Sequence, residues 1–256
     1  MSNIRRQLRR YLRRFLTVAG CLIVFLIFWA MFSPSTFKAT LSWMFDLSST
    51  VSSSGGYDGI DVSKHQGKID WQAVSEDGNI QFVYIKATEG STLSDKRYAT
   101  NIREARKAGL KVGSYHFFTT RRSAKEQFSN FRRHVRKSEQ DLIPMVDVEE
   151  SGCKRASKKQ LQQSLQEFMD LVKSEYGYYP LLYSQYRFYN DRLAPEFNKY
   201  YIFIARYGNA TPHLKGGGLY NIWQYTERGH ISGIRGEVDL DRFGNGTSLS
   251  DIMMND

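Results

Sequence analysis

The chain is poor in cysteine, with only Cys21 and Cys153 in 256 residues, so its C-terminal two hundred residues contain no possible internal disulfide. A domain of that size without cross-links is held by its hydrophobic core, which is feasible at about 200 residues and would not be at 60. No histidine lies close in sequence to Cys153 to activate it, so it reads as a bystander thiol. His65 and His116 lack partners at ligand spacing, and no metal or other cofactor is expected. No internal repeat is visible. Acidic residues are missing from the first fourteen positions, where Arg5, Arg6, Arg9, Arg10, Arg13 and Arg14 stand. Removing those six from the net charge of +10 leaves +4, too modest a surplus to argue for a nucleic-acid partner.

Charge is also absent from Phe15 to Phe32. As a helix those eighteen residues span about 27 Å, most of a bilayer's hydrocarbon layer. With arginines preceding it, the segment reads as one transmembrane signal anchor over 15–32, with 1–14 in the cytoplasm and the rest on the periplasmic or extracellular side. A cleaved signal peptide is the first alternative, but the apolar run is longer than usual and no clear small-x-small site follows. The second is Val18-Ala19-Gly20-Cys21, which looks like a lipoprotein box but sits early in the run. Residues 33–56 form a juxtamembrane segment and linker: Trp43 and Phe45 suit the membrane interface, and Ser48 to Gly56 suits a tether spanning about 17 Å.

From Tyr57 to the C-terminus, residues 57–256 read as one α/β domain. Strand-like runs are expected at 59–63, 82–88, 110–118, 142–149, 180–184, 200–207, 220–226 and 237–243. Helices are expected near 69–74, 97–108, 123–135, 157–176 and 185–193. Capping boxes at Ser123/Glu126 and Ser157/Gln160 mark two helix starts, and Gly177 marks a helix stop. Eight strands with about five helices, in βα alternation that thins toward the end, predict a distorted, helix-poor (β/α) TIM-like barrel.

The chemistry gathers where strands end. In Leu142-Ile143-Pro144-Met145-Val146-Asp147-Val148-Glu149-Glu150 an apolar run gives way to carboxylates. Asp147 and Glu149 are two apart, so on a strand they share a face. Carboxylates that close do not ionise independently, which leaves one as proton donor beside an anion, as glycosidic cleavage requires. Solvated or ion-paired acids at a strand end are the plainer reading of this segment alone. Against it, Asp61, Glu89, His116, Asp147, Glu149 and Asp239 all fall at or just past expected C-terminal strand ends, where barrel active sites are built.

With those residues stand ordered motifs: Gly59-Ile60-Asp61-Val62-Ser63-Lys64-His65-Gln66-Gly67 with Ile69-Asp70-Trp71, Phe82 to Gly90, Gly113-Ser114-Tyr115-His116-Phe117, Met145 to Glu149, Ile204-Ala205-Arg206-Tyr207, Ile222-Trp223-Gln224-Tyr225, and Val238-Asp239-Leu240-Asp241-Arg242-Phe243. Together they resemble the glycoside hydrolase family 25 lysozymes, N-acetylmuramidases that cut peptidoglycan, over about Tyr57 to Gly244. The resemblance implies a catalytic set of Glu149 as general acid, Asp147 as its partner, and Asp61 and Asp239 completing an acidic cleft. It also implies hydrolysis of the β-1,4 bond after N-acetylmuramic acid with net retention, through either the substrate's acetamido carbonyl or a carboxylate nucleophile. Asp241 ranks below Asp239. Tyr115, Tyr183 and Trp223 are candidates for sugar stacking or for core. Lys86 and Arg206 would contact substrate, balance the acids or form structural ion pairs, and Glu89 would touch substrate or support the cleft from behind.

The expected partners are peptidoglycan glycan strands and, through residues 15–32, the membrane, with the chain monomeric. An endoglycosidase on chitin-like polymers and a non-catalytic glycan-binding protein are the alternatives. Asn209-Ala210-Thr211 and Asn245-Gly246-Thr247 fit the glycosylation sequon, which matters only in a host that uses it.

Overall fold

The computed structural model describes residues 56–254, so the basic segment, the expected membrane anchor and nearly all of the linker lie outside the described residues. Among the described residues no helix is long and apolar enough to cross a membrane. The strands are β1 (Gly59–Val62), β2 (Phe82–Glu89), β3 (Leu93–Ser94), β4 (Val112–Phe117), β5 (Met145–Asp147), β6 (Leu181–Gln185), β7 (Ile202–Ala205), β8 (Ile222–Gly229) and β9 (Val238–Phe243). All except β3 close into an eight-stranded barrel in the order β1-β9-β8-β7-β6-β5-β4-β2, sealed by the parallel β1–β2 pairing. β3 is a two-residue antiparallel flap on the end of β2.

Seven of the barrel strands run parallel, whereas β9 runs antiparallel to both β8 and β1. That reversal corrects the expected position of Asp239. It stands near the start of its strand, yet because β9 is inverted, that start lies at the same barrel end as the C-termini of the other seven.

Helices are α1 (Trp71–Ser75), α2 (Tyr98–Lys107), α3 (Ala124–His134), α4 (Glu150–Cys153), α5 (Lys158–Tyr176), α6 (Tyr186–Phe188, continuing as a π-helical turn over Tyr189–Leu193) and α7 (Leu249–Ile252). The five expected helices are present, and α4 and α7 are additional among the described residues. Both are four residues long, too short for a hydrophobic period to show. Both capping boxes form, with Glu126 and Gln160 reaching back to the backbone N–H groups of Ser123 and Ser157, and Gly177 ends α5 with a φ of 87°.

The fourth strand is shorter than its apolar run. Leu142 and Ile143 pair instead with the C-terminal segment, through a Leu142–Met253 bridge and an Ile143 N–H to Ile252 carbonyl bond. That contact lets Ile252 plug the barrel below an interior of Phe82, Tyr84, Met145, Leu181 and Phe203. A second core lies between the outer barrel face and the helices, with Leu161, Leu165, Phe168, Val172 and Tyr176 of α5 buried there. His116 belongs to this outer layer. It is fully buried, 2.8 Å from Thr88 Oγ1 and stacked on Phe168, and burial pushes its pKa down to about 3. Its position in sequence near a strand end therefore did not place it in the cleft. Cys153 is buried as well, and burial pushes its thiol up to about 12, so it stays protonated and unreactive.

Candidate active site

Strand alternation places the acids. On β9, Val238 and Leu240 join the outer core, so Asp239 and Asp241 point inward. Asp61 of β1 is the register partner of Asp239. Asp147 ends β5 with 7% of its surface exposed. Past it the backbone stays extended: the Asp147 carbonyl accepts from Phe118 N–H, Val148 N–H donates to the Tyr183 carbonyl, and Ser184 Oγ donates to the Val148 carbonyl at 2.8 Å. These bonds carry the β alternation two residues beyond the strand, to Glu149 at φ −118° and ψ 162°, the N-cap of α4. Glu149 is half-buried and accepts a 3.4 Å contact from Ser151 Oγ.

The four carboxyls perturb one another. Burial raises the pKa of Asp61 well above the carboxylate range, and the charges of Asp239 and Glu149 add to the rise. Asp147 is raised well above it too, by burial and then by Glu149, with Lys86 opposing. Burial raises Glu149, against the Ser151 hydrogen bond and Lys86, and pushes Asp239 up to about 6, helped by Glu227 and Glu149. With all four carboxyls shifted upward they cannot ionise independently, the condition under which a proton donor stands beside an anion.

Of the candidate neighbours, Tyr115 and Tyr183 face this cluster from the barrel interior. Burial raises both hydroxyls, and the charges of Asp61 and Asp147 act on both. Lys86 lies at the same end, 3.0 Å from Glu89 Oε2 and over the Phe117 ring, so Glu89 touches the cleft through the lysine. Trp223 does not line the cleft. It points outward, donates from Nε1 to the Arg206 carbonyl at 2.7 Å, and stacks with the Arg242 guanidinium at 3.9 Å. Together with Tyr225 it shields the outer face of β8 and β9. Arg206 also turns away from the acids, lying over Tyr186 at 4.4 Å.

The residue that does turn inward from β8 is Gln224, 2% exposed. Its Nε2 donates to Asp61 Oδ2 at 2.7 Å, while its Oε1 accepts from Tyr183 and Tyr207 hydroxyls at 3.0 and 3.2 Å. Two hydroxyl donors on the amide oxygen fix which way the amide faces, so the NH₂ is directed at Asp61. Gln224 and Tyr207 were not among the sequence candidates, and Asp241, ranked below Asp239, lies deeper in the barrel. Period-two alternation was the available signal, because only one of Trp223 and Gln224 can face the interior. Among the described residues no group of three or more His, Cys, Asp or Glu side chains is arranged to hold a metal ion.

The family model for glycosyl hydrolases family 25 matches residues 60–234. The chain belongs to that family. As a family 25 member it is a glycoside hydrolase, and its barrel is the family's fold. It is 39% identical over 193 residues to the YegX protein of Escherichia coli strain K12, covering 74% of this chain and 70% of that protein. It is 33% identical over 188 residues to the autolytic lysozyme of Clostridium acetobutylicum, covering 73% of this chain and 56% of that protein. A solved family 25 glycosyl hydrolase from Bacillus anthracis superposes with a TM-score of 0.68 at 32% identity, over 75% of this chain and 92% of that one.

Proposed function

We propose that this family 25 hydrolase is a muramidase, cutting the β-1,4 bond between N-acetylmuramic acid and N-acetylglucosamine in peptidoglycan with net retention. The observation that carries the reading is the convergence of Asp61, Asp147, Glu149 and Asp239 at one barrel end, with Glu149 half-exposed and its proton affinity raised. Relatives named as lysozymes support the substrate class.

In this reading Glu149 protonates the leaving oxygen, since it combines access with a raised proton affinity. Asp61 and Asp147, at 8% and 7% exposure, fit orientation and charge stabilisation better than direct attack. That favours the substrate's own acetamido carbonyl as nucleophile. Asp239 closes the far side of the cleft. Residues 15–32 anchor the chain in the cytoplasmic membrane, with the barrel on the periplasmic or extracellular side and acting as a monomer.

The test is muropeptide release from purified peptidoglycan by the full chain and by Glu149→Gln. Reducing-end N-acetylmuramic acid from the wild type, with release at least about a thousandfold slower from the variant, is the expected result. Binding by both without product from either refutes turnover and supports the glycan-binding alternative.

A further inference from the structure

Outside the acidic cleft, a cavity of about 780 Å³ opens at the C-terminal ends of β6 and β7. Its wall carries three guanidinium groups, from Arg187, Arg192 and Arg206. None of them is paired with a carboxylate among the described residues. Two are held rigidly. Arg206 lies over the Tyr186 ring at 4.4 Å and donates from Nη1 to the Thr211 carbonyl at 2.7 Å. Arg192 lies over the Phe188 ring at 5.5 Å and donates from Nη2 to the Ala156 carbonyl at 2.6 Å. A guanidinium has five N–H donors, so each retains most of its capacity in a fixed orientation.

The cavity also adjoins the chemistry on two sides. Glu150, the residue after the proposed acid, lines it. Tyr207 lines it too, and the Tyr207 hydroxyl reaches the Gln224 amide that holds Asp61. A ligand there would lie beside the acidic cleft, against a wall where cations outnumber acids. Two carboxylates, Glu150 and Asp191, share the wall. The mixture of three cations, two of them fixed, and two anions suits a short peptide rich in carboxylates that also carries an ammonium group, and it suits a uniformly anionic polymer less well.

Building on the muramidase reading, we propose that this cavity is a subsite for the stem peptide borne by N-acetylmuramic acid, with its guanidiniums receiving the peptide's carboxylates. The enzyme then recognises peptide-bearing glycan as well as the sugar backbone. Preorganised charge-assisted bonds at a partly open site give a preference of about five- to tenfold.

The experiment compares kcat/KM of the full-length protein on purified peptidoglycan and on the same glycan stripped of stem peptides by an amidase. Wild type is expected to prefer the peptide-bearing form by that factor. Arg187→Ala, at an exposed position, and the double variant Arg187→Ala/Arg206→Ala are expected to bring the ratio progressively toward one. Equal wild-type rates on the two substrates, or an unchanged ratio in the double variant, overturn the subsite while leaving the muramidase intact. Cleavage of neither substrate overturns both readings.

Discussion

Asp241 offers a quantitative test of how the barrel interior handles charge. It is fully buried, neither carboxyl oxygen has a hydrogen-bond partner among the described residues, and it sits on β9 two residues from Asp239. Burial raises its pKa well above the ordinary carboxylate value, and the charges of Asp61 and Asp239 raise it further. A carboxyl whose pKa is raised in the folded state binds a proton that the unfolded chain has already released. Its contribution to stability is therefore complete below the unfolded pKa and is lost as pH climbs toward the folded one. The slope is at most about 1.4 kcal/mol per pH unit.

Asp241→Asn keeps the shape, leaves a neutral polar group and removes that slope. Between pH 5 and 7 the variant should gain on wild type by up to about 3 kcal/mol, or roughly 6 to 12 °C in Tm for a domain of this size. Near pH 3.5, where both side chains are neutral in the folded state, the two proteins should agree within about 1 kcal/mol. Thermal unfolding by circular dichroism across that pH range measures the difference. Parallel profiles for the two proteins would refute the reasoning, because they would mean that Asp241 releases its proton on the same schedule folded and unfolded.

Three further outcomes are expected. His116 gives the opposite slope: with its pKa pushed from 6.5 down to about 3, its contribution is complete above pH 6.5 and is lost as pH falls, by up to about 1.4 kcal/mol per unit, so His116→Gln should flatten the acid limb of stability measured by urea unfolding. Gln224→Leu leaves the hydroxyls of Tyr183 and Tyr207 and one oxygen of Asp61 without their bonds, and kcat should fall about ten- to a hundredfold; Tyr207→Phe, which removes one clamp and leaves the other, should lose less in the same assay. At Gly152 a Cβ would stand 2.4 Å from the Phe118 carbonyl oxygen, so Gly152→Ala must displace α4 and the Glu149 cap with it, lowering stability by about 1 to 3 kcal/mol and activity disproportionately more.

Much of this organisation was written in local pattern. Capping residues and hydrophobic periods marked α3 and α5, because a helix end and a buried stripe are set by residues three and four apart. The ordered motifs located Asp61, Asp147, Glu149 and Asp239, and alternation over two residues was enough to put Asp147 and Glu149 on one face. Tertiary structure decided what local pattern leaves open. Only the inversion of β9 brings Asp239 to the end where Asp61, Asp147 and Glu149 gather, from the start of its strand, since strand direction depends on pairing with β1 and β8. Only barrel closure determines that Gln224 faces Asp61 while Trp223 turns out to Arg242. Alternation says that neighbours part, and the enclosing sheet says which of them is inside. Arg206 went the same way, held by the Tyr186 ring and the Thr211 carbonyl on the side away from the acids, so that of the roles open to it, balancing those carboxylates is the one its position does not serve. The sequence by itself determined which residues were candidates for the chemistry; the closing of the sheet determined which of them meet, because that requires contacts between strands that no local spacing encodes.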